Sequence, residues 1–71
     1  MDFKKGIYQH YKGKYYEVLQ LARDSETEKW MVVYKTLYDE ESIWVRPYGD
    51  FTKTVNSKGK DVKRFTFVGK G

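Results

Sequence analysis

The apolar positions of this chain fall in short runs at a period of two, and polar clusters separate the runs rather than joining them into a helical stripe. Gly6-Ile7-Tyr8-Gln9-His10 is the first β-prone run, and Lys12-Gly13 supplies a turn at a residue that accepts positive φ. From Tyr16 to Ala22 the apolar positions change phase, passing from Tyr16 and Val18 to Leu19 and Leu21, which a straight strand does not permit. The pattern predicts a second strand with a bulge near Leu19 and Gln20, a device that lets a small sheet curl.

Asp24-Ser25-Glu26-Thr27-Glu28 then breaks the pattern. Ser25 and Glu28 have the spacing of a helix capping box, but Trp30-Met31-Val32-Val33-Tyr34-Lys35-Thr36-Leu37-Tyr38 follows, β-branched and aromatic and apolar on both phases. That composition predicts a third strand in the middle of the sheet. Asp39-Glu40-Glu41-Ser42 turns the chain into a fourth strand, Ile43-Trp44-Val45-Arg46, again occupied on both phases, which Pro47 ends by withdrawing a backbone donor. Tyr48-Gly49-Asp50-Phe51 reads as a turn that tucks one aromatic into the core, with Val55 placed to join it on a helical turn. Asn56-Ser57-Lys58-Gly59 reads as a loop. Val62 to Val68 closes the chain as a strand, with Phe65 and Phe67 on one face and Arg64 and Thr66 on the other. Five short antiparallel strands with at most one short helical turn predict an all-β fold, a small SH3-like barrel, as a single domain over residues 1–71.

Composition narrows the picture. A chain of 71 residues buries only ~60% of the surface its unfolded form exposes, so its core must be economical. Four Phe, seven Tyr and two Trp supply that economy, because each ring buries a large area and a tyrosine can keep its hydroxyl wet. The chain has no Cys, which excludes a disulfide framework, a thiolate zinc site and a cysteine nucleophile. No apolar run approaches the ~18 residues of a membrane span, and Met1 to Lys5 is not followed by the apolar stretch of a secretory signal. The expectation is a cytoplasmic protein with no membrane contact.

The formal charge of +4 is unevenly laid out. Residues 1–23 and 52–71 are basic, residues 24–41 are acidic, and residues 42–51 balance. Lysines and arginines interleaved with Tyr and Phe at both ends are what a groove for single-stranded nucleic acid uses. The acids at 24–28 and 39–41 oppose that reading, since in an up-and-down meander they lie at opposite ends of the fold and flank any basic surface with repulsive rims.

Few residues offer chemistry. His10 is the one histidine, and no second ligand stands at zinc spacing, so neither a metal site nor a cofactor is expected. A general-base role would need His10 beside a hydroxyl such as Ser25 or Thr27, and no catalytic residue is assigned. Ser25-Glu26-Thr27 is either a local turn folded onto its own amides or a small anion-binding nest in which Glu26 orients Arg23 or Arg46. Trp44 and Arg46 share a strand face opposite Ile43 and Val45, setting an indole beside a guanidinium. That pair either stacks a planar, anionic ligand or fills and covers the core.

Several of these segments together resemble the small bacterial family known as domain of unknown function 1653. They are His10-Tyr11-Lys12-Gly13-Lys14-Tyr15-Tyr16-Glu17-Val18, Ser25-Glu26-Thr27, Val32-Val33-Tyr34 and Trp44-Val45-Arg46-Pro47, and the resemblance covers residues from about 8 to 65. It implies a small SH3-like β fold with a polar signature on His10, Ser25, Glu26, Thr27, Tyr34, Trp44, Arg46 and Arg64. No activity comes with it. Asp24 departs from the basic or aromatic residue that the family pattern has before the serine, which weakens an anion site there. The function expected is a non-catalytic binding module for an anionic or planar group. The alternatives are a single-stranded nucleic-acid module using the basic ends and a protein-interaction module that takes a peptide in an aromatic groove or by strand addition.

Overall fold

A computed structural model describes residues 3–70. The chain runs β1 (Gly6–His10), β2 (Tyr15–Arg23), β3 (Trp30–Thr36), β4 (Ile43–Pro47), α1 (Tyr48–Thr52), β5 (Thr54–Ser57), β6 (Lys60–Lys63) and β7 (Phe65–Gly69). Five strands form one antiparallel sheet in the order β4-β3-β2-β1-β7, and β5 pairs with β6 in a separate hairpin. The fold is thus small and all-β, with one five-residue helix. None of its helices is long and apolar enough to cross a membrane, among the described residues.

The phase change in β2 is a bulge, with Leu19 left over where the β2–β3 register shifts between Val18 and Gln20. The extra residue keeps Tyr16, Val18 and Leu21 on the face shared by Thr36, Tyr34 and Val32. That inner face carries the core, built from Tyr8, Val18, Val32, Tyr34 and Phe65 of the sheet and Phe51 of α1. A five-residue helix has no stability of its own. Phe51 anchors it, stacked parallel on Phe65 with centroids 4.0 Å apart, and a fully buried ring of this kind contributes about 1.5–3 kcal/mol. Phe3 closes the same end, stacked on Tyr8 and meeting Tyr48 and Phe51 edge-on. Gly6 lets the start of β1 lie close against the end of its neighbour β7: its φ is +139°, and a Cβ there would lie 2.6 Å from the Gly69 carbonyl oxygen.

Three expectations are corrected. The segment from Val62 to Val68 is two strands, because the chain breaks at Arg64 and β6 turns back on β5 through Lys58-Gly59. Both turn residues have positive φ, as a two-residue hairpin requires, and a lysine in the first position gives no turn signal in sequence. Val55 pairs with Val62 in that hairpin instead of joining Phe51 on a helical turn. Strand β3 is interior, but β2 holds the centre and β4 is an edge, so the outer-face residues Ile43 and Val45 stay exposed.

Candidate functional site

Register brings three of the residues singled out from sequence to one region. Tyr34 pairs with Trp44 across β3 and β4, and Val32 with Arg46, so Trp44 and Arg46 share the inner face with Tyr34. Tyr16 joins them from β2 through its pairing with Thr36. With Tyr38, Asp39 and Ser42 of the β3–β4 loop they line an open groove of about 690 Å³. The loop is fixed over the groove by the Thr36 hydroxyl, which donates to the Tyr38 carbonyl at 3.3 Å, and by a backbone bond from Thr36 to Ser42. Asp39 and Glu41 both take left-handed backbone at φ 54°, a strained conformation that these contacts hold in place.

The groove lining carries one cation, Arg46, together with the acids Asp39 and Glu40 and several neutral hydroxyls. The Nε atoms of Arg46 and Arg64 are buried and have no hydrogen-bond partner among the described residues. Among the described residues the ion pairs belong to Lys35, with Glu17 at 3.7 Å and Glu41 at 4.0 Å, and neither arginine meets a carboxylate. A buried donor without an acceptor costs free energy that an anionic ligand oxygen would recover. Trp44 is 55% exposed, so its ring is presented to solvent rather than spent on the core. The Tyr16 and Tyr38 hydroxyls lie 2.8 Å apart. Burial pushes the Tyr16 hydroxyl well up from its ordinary value, helped by that bond and by the Tyr38 and Tyr34 hydroxyls, while Arg46 opposes the shift.

His10 sits beside this cluster, its ring 4.9 Å from Phe65 and 6.3 Å from Tyr16. Burial lowers its pKa, and Arg64, Lys12 and Arg46 push the same way by repelling a positive imidazole. Its Nδ1 accepts the Lys12 backbone N–H at 3.1 Å, which puts the proton of the neutral ring on Nε2. His10 therefore stands near Arg46 and Arg64, beside the sheet face that carries Tyr34 and Trp44.

Ser25, Glu26 and Thr27 do not join it. They form the β2–β3 turn, at the end of β3 opposite to the β3–β4 loop. The Asp24 carboxylate accepts the backbone N–H groups of Glu26 at 2.8 Å and Thr27 at 3.1 Å, and these bonds hold its pKa below the usual carboxylate range. The Thr27 hydroxyl in turn accepts the Lys29 N–H at 3.3 Å. Amides bound to Asp24 have nothing left for a ligand. Arg23 donates to the Glu28 carbonyl and lies over the Trp30 ring, so Glu26 orients neither Arg23 nor Arg46 through an ion pair. Among the described residues no three His, Asp or Glu side chains converge as a metal site would need.

The groove also recruits residues that sequence reasoning left out. Tyr16 was recoverable from the bulge, since one extra residue in β2 returns it to the face of Tyr34. Tyr38 lies beyond β3 in a loop, where alternation carries no information about facing.

Comparison with known proteins agrees with this architecture. The family model described as protein of unknown function, DUF1653, matches residues 6–67. A crystal structure of a DUF1653 protein from Bordetella bronchiseptica is similar at 38% sequence identity and a TM-score of 0.90, over 99% of this chain and 92% of that one. No curated protein matches the chain. With the family pattern on His10 to Val18 and Trp44 to Pro47 now set on β1, β2 and β4 of a shared fold, this chain belongs to the DUF1653 family.

Proposed function

We propose that the protein is a binding module that takes a planar group carrying a single negative charge in the groove between Trp44 and the β3–β4 loop. The observation that carries this reading is the buried Arg46 Nε without an acceptor, on the strand face where Trp44 stands exposed. The indole supplies a stacking surface, the guanidinium supplies charge-assisted hydrogen bonds, and the Tyr16 and Tyr38 hydroxyls supply neutral polar contacts. Arg64 adds to the positive potential near Arg46, and the neutral His10 ring beside them adds a polar contact without charge. Asp39 and Glu40 on the rim favour a compact anion over a polyphosphate, because each further phosphate would approach a carboxylate. His10 fits binding better than base catalysis, since its one lone-pair nitrogen is already held by the Lys12 amide. Ser25, Glu26 and Thr27 are scaffold in this proposal. The exposed edge of β4, with Ile43 and Val45 on its outer face, favours a second form of the reading in which the group is presented on a peptide strand.

The test is an NMR titration with benzoate, benzamide and acetate at constant ionic strength, following the Trp44 indole and Arg46 Nε resonances. Benzoate should move both, with a dissociation constant on the order of 1 mM for so small a probe. Benzamide lacks the charge and acetate lacks the plane, and each should bind at least about tenfold more weakly. Equal responses to all three probes, or stationary Trp44 and Arg46 signals, would overturn the proposal.

A further inference from the structure

The β5–β6 hairpin is an odd possession for so small a fold. It pairs with itself, and its apolar residues Val55 and Val62 are partly buried against each other but stand outside the core cluster. Yet the stretch from 53 to 64 is strongly cationic, with Lys53, Lys58, Lys60, Lys63 and Arg64 against Asp61 alone. Asp61 faces Asn56 across the hairpin at 3.5 Å, and none of these lysines meets a carboxylate within 4 Å among the described residues.

Lys58, Lys60 and Lys63 line a groove of about 520 Å³ between the hairpin and β1, and Tyr11 stands in the same wall. Tyr11 is exposed, and its ring is backed by His10 at 4.6 Å and accompanied by the Lys12 ammonium at 5.8 Å. The spacing between ring and lysines is fixed by the backbone. The Tyr11 N–H donates to the Arg64 carbonyl at 2.9 Å, and the Arg64 N–H donates to the Lys53 carbonyl at 3.1 Å, which ties the base of the hairpin to the segment that carries Tyr11. Neither acidic segment, at 24–28 or at 39–41, contributes to this wall, so the repulsive rims expected from sequence lie elsewhere.

We infer that this groove binds single-stranded nucleic acid, with Lys58, Lys60 and Lys63 on successive phosphates and one unpaired base stacked on Tyr11. An extended row of ammonium groups suits a ligand with repeated charges, and a rigid exposed ring at its end suits a flat base. A duplex hides its bases from Tyr11, and an acidic peptide offers it no flat partner. This site is separate from the Trp44 groove, and either can fail without the other.

The experiment measures binding of fluorescent thymidylate and uridylate dodecamers between 50 and 200 mM salt, with NMR mapping and with duplex DNA and oligoglutamate as competitors. Three neutralised phosphates give a log–log salt slope of about −2, so affinity should fall about twentyfold over that range. Lys58→Gln with Lys63→Gln, both at exposed positions, should flatten the slope to about −0.7. Tyr11→Ala should weaken binding about fivefold or more and leave the slope unchanged. Thymidylate or uridylate binding with these signatures supports the inference, and the tighter of the two identifies DNA or RNA as the source. It is overturned by an unchanged slope in the lysine double variant, by indifference to Tyr11→Ala, by equal binding of duplex or oligoglutamate, or by shifts centred on Trp44 and Arg46.

Discussion

The inner face of the sheet has two halves that alternate identically and end differently. Under α1, Phe3, Tyr8, Phe51, Phe65 and Phe67 pack ring on ring, and the one polar handle among them is satisfied locally, the Tyr8 hydroxyl donating to the Lys4 carbonyl at 2.6 Å. Toward β4, Tyr16, Tyr38 and the exposed Trp44 line an open groove with Arg46, on a floor that includes the buried Tyr34. Phe51 is 1% exposed and Trp44 is 55% exposed. The covered half is mostly phenylalanine, and the open half is tyrosine and tryptophan, rings that tolerate water at one end. Phe51 of α1 makes the difference, because it seals one half by packing on Phe3, Tyr8 and Phe65 while Trp44 keeps its ring in solvent.

The largest effect expected is in the covered half. Phe51→Ala removes the ring that seats α1 and should destabilise the protein by about 3–5 kcal/mol in urea denaturation. A loss below about 1 kcal/mol would mean that α1 is not the cover that this comparison makes it. Gly6→Ala comes next, at about 1–3 kcal/mol, since its Cβ would collide with the Gly69 carbonyl and sit on backbone that side chains avoid. Tyr16→Phe, at the border between the halves, should cost about 1 kcal/mol by removing the hydroxyl bond to Tyr38.

The smallest effect is a pH dependence. His10 titrates below its unfolded value of about 6.5, so the unfolded chain binds the proton more readily than the folded one. Stability contributed by the neutral ring is therefore fully present above pH ~6.5 and is lost as pH falls through the lowered folded value. His10→Gln should remove that decline from a series of melting curves, and an unchanged decline would assign it to other groups.

How much of this was legible in the chain depended on the range of the interaction. The bulge at Leu19 was visible because it is a local break in alternation, and the Ser25–Thr27 turn was visible because Asp24 and Thr27 have short side chains that bond nearby backbone. Strand β4 misled because apolar residues on both phases describe a buried strand and an exposed edge equally well. Only the strand order tells them apart. Arg64 was assigned to a strand face, and instead it stands at the break between β6 and β7, where its carbonyl and N–H tie the hairpin to Tyr11 and Lys53. The meeting of His10, Tyr34, Trp44 and Arg46 rests on pairing across four strands, which no local pattern encodes. Grouping Ser25, Glu26 and Thr27 with them followed the family resemblance, and the Asp24 carboxylate holds the Glu26 and Thr27 amides of that turn.

The central claim is that the open half serves binding and the covered half serves folding. The most direct test measures benzoate affinity and melting temperature together for Trp44→Ala and Arg46→Gln. Both variants should lose at least about tenfold in affinity, while stability stays within about 0.5 kcal/mol of the parent. Unchanged affinity with a large fall in melting temperature would show that Trp44 and Arg46 are structural and that the groove is not a binding site.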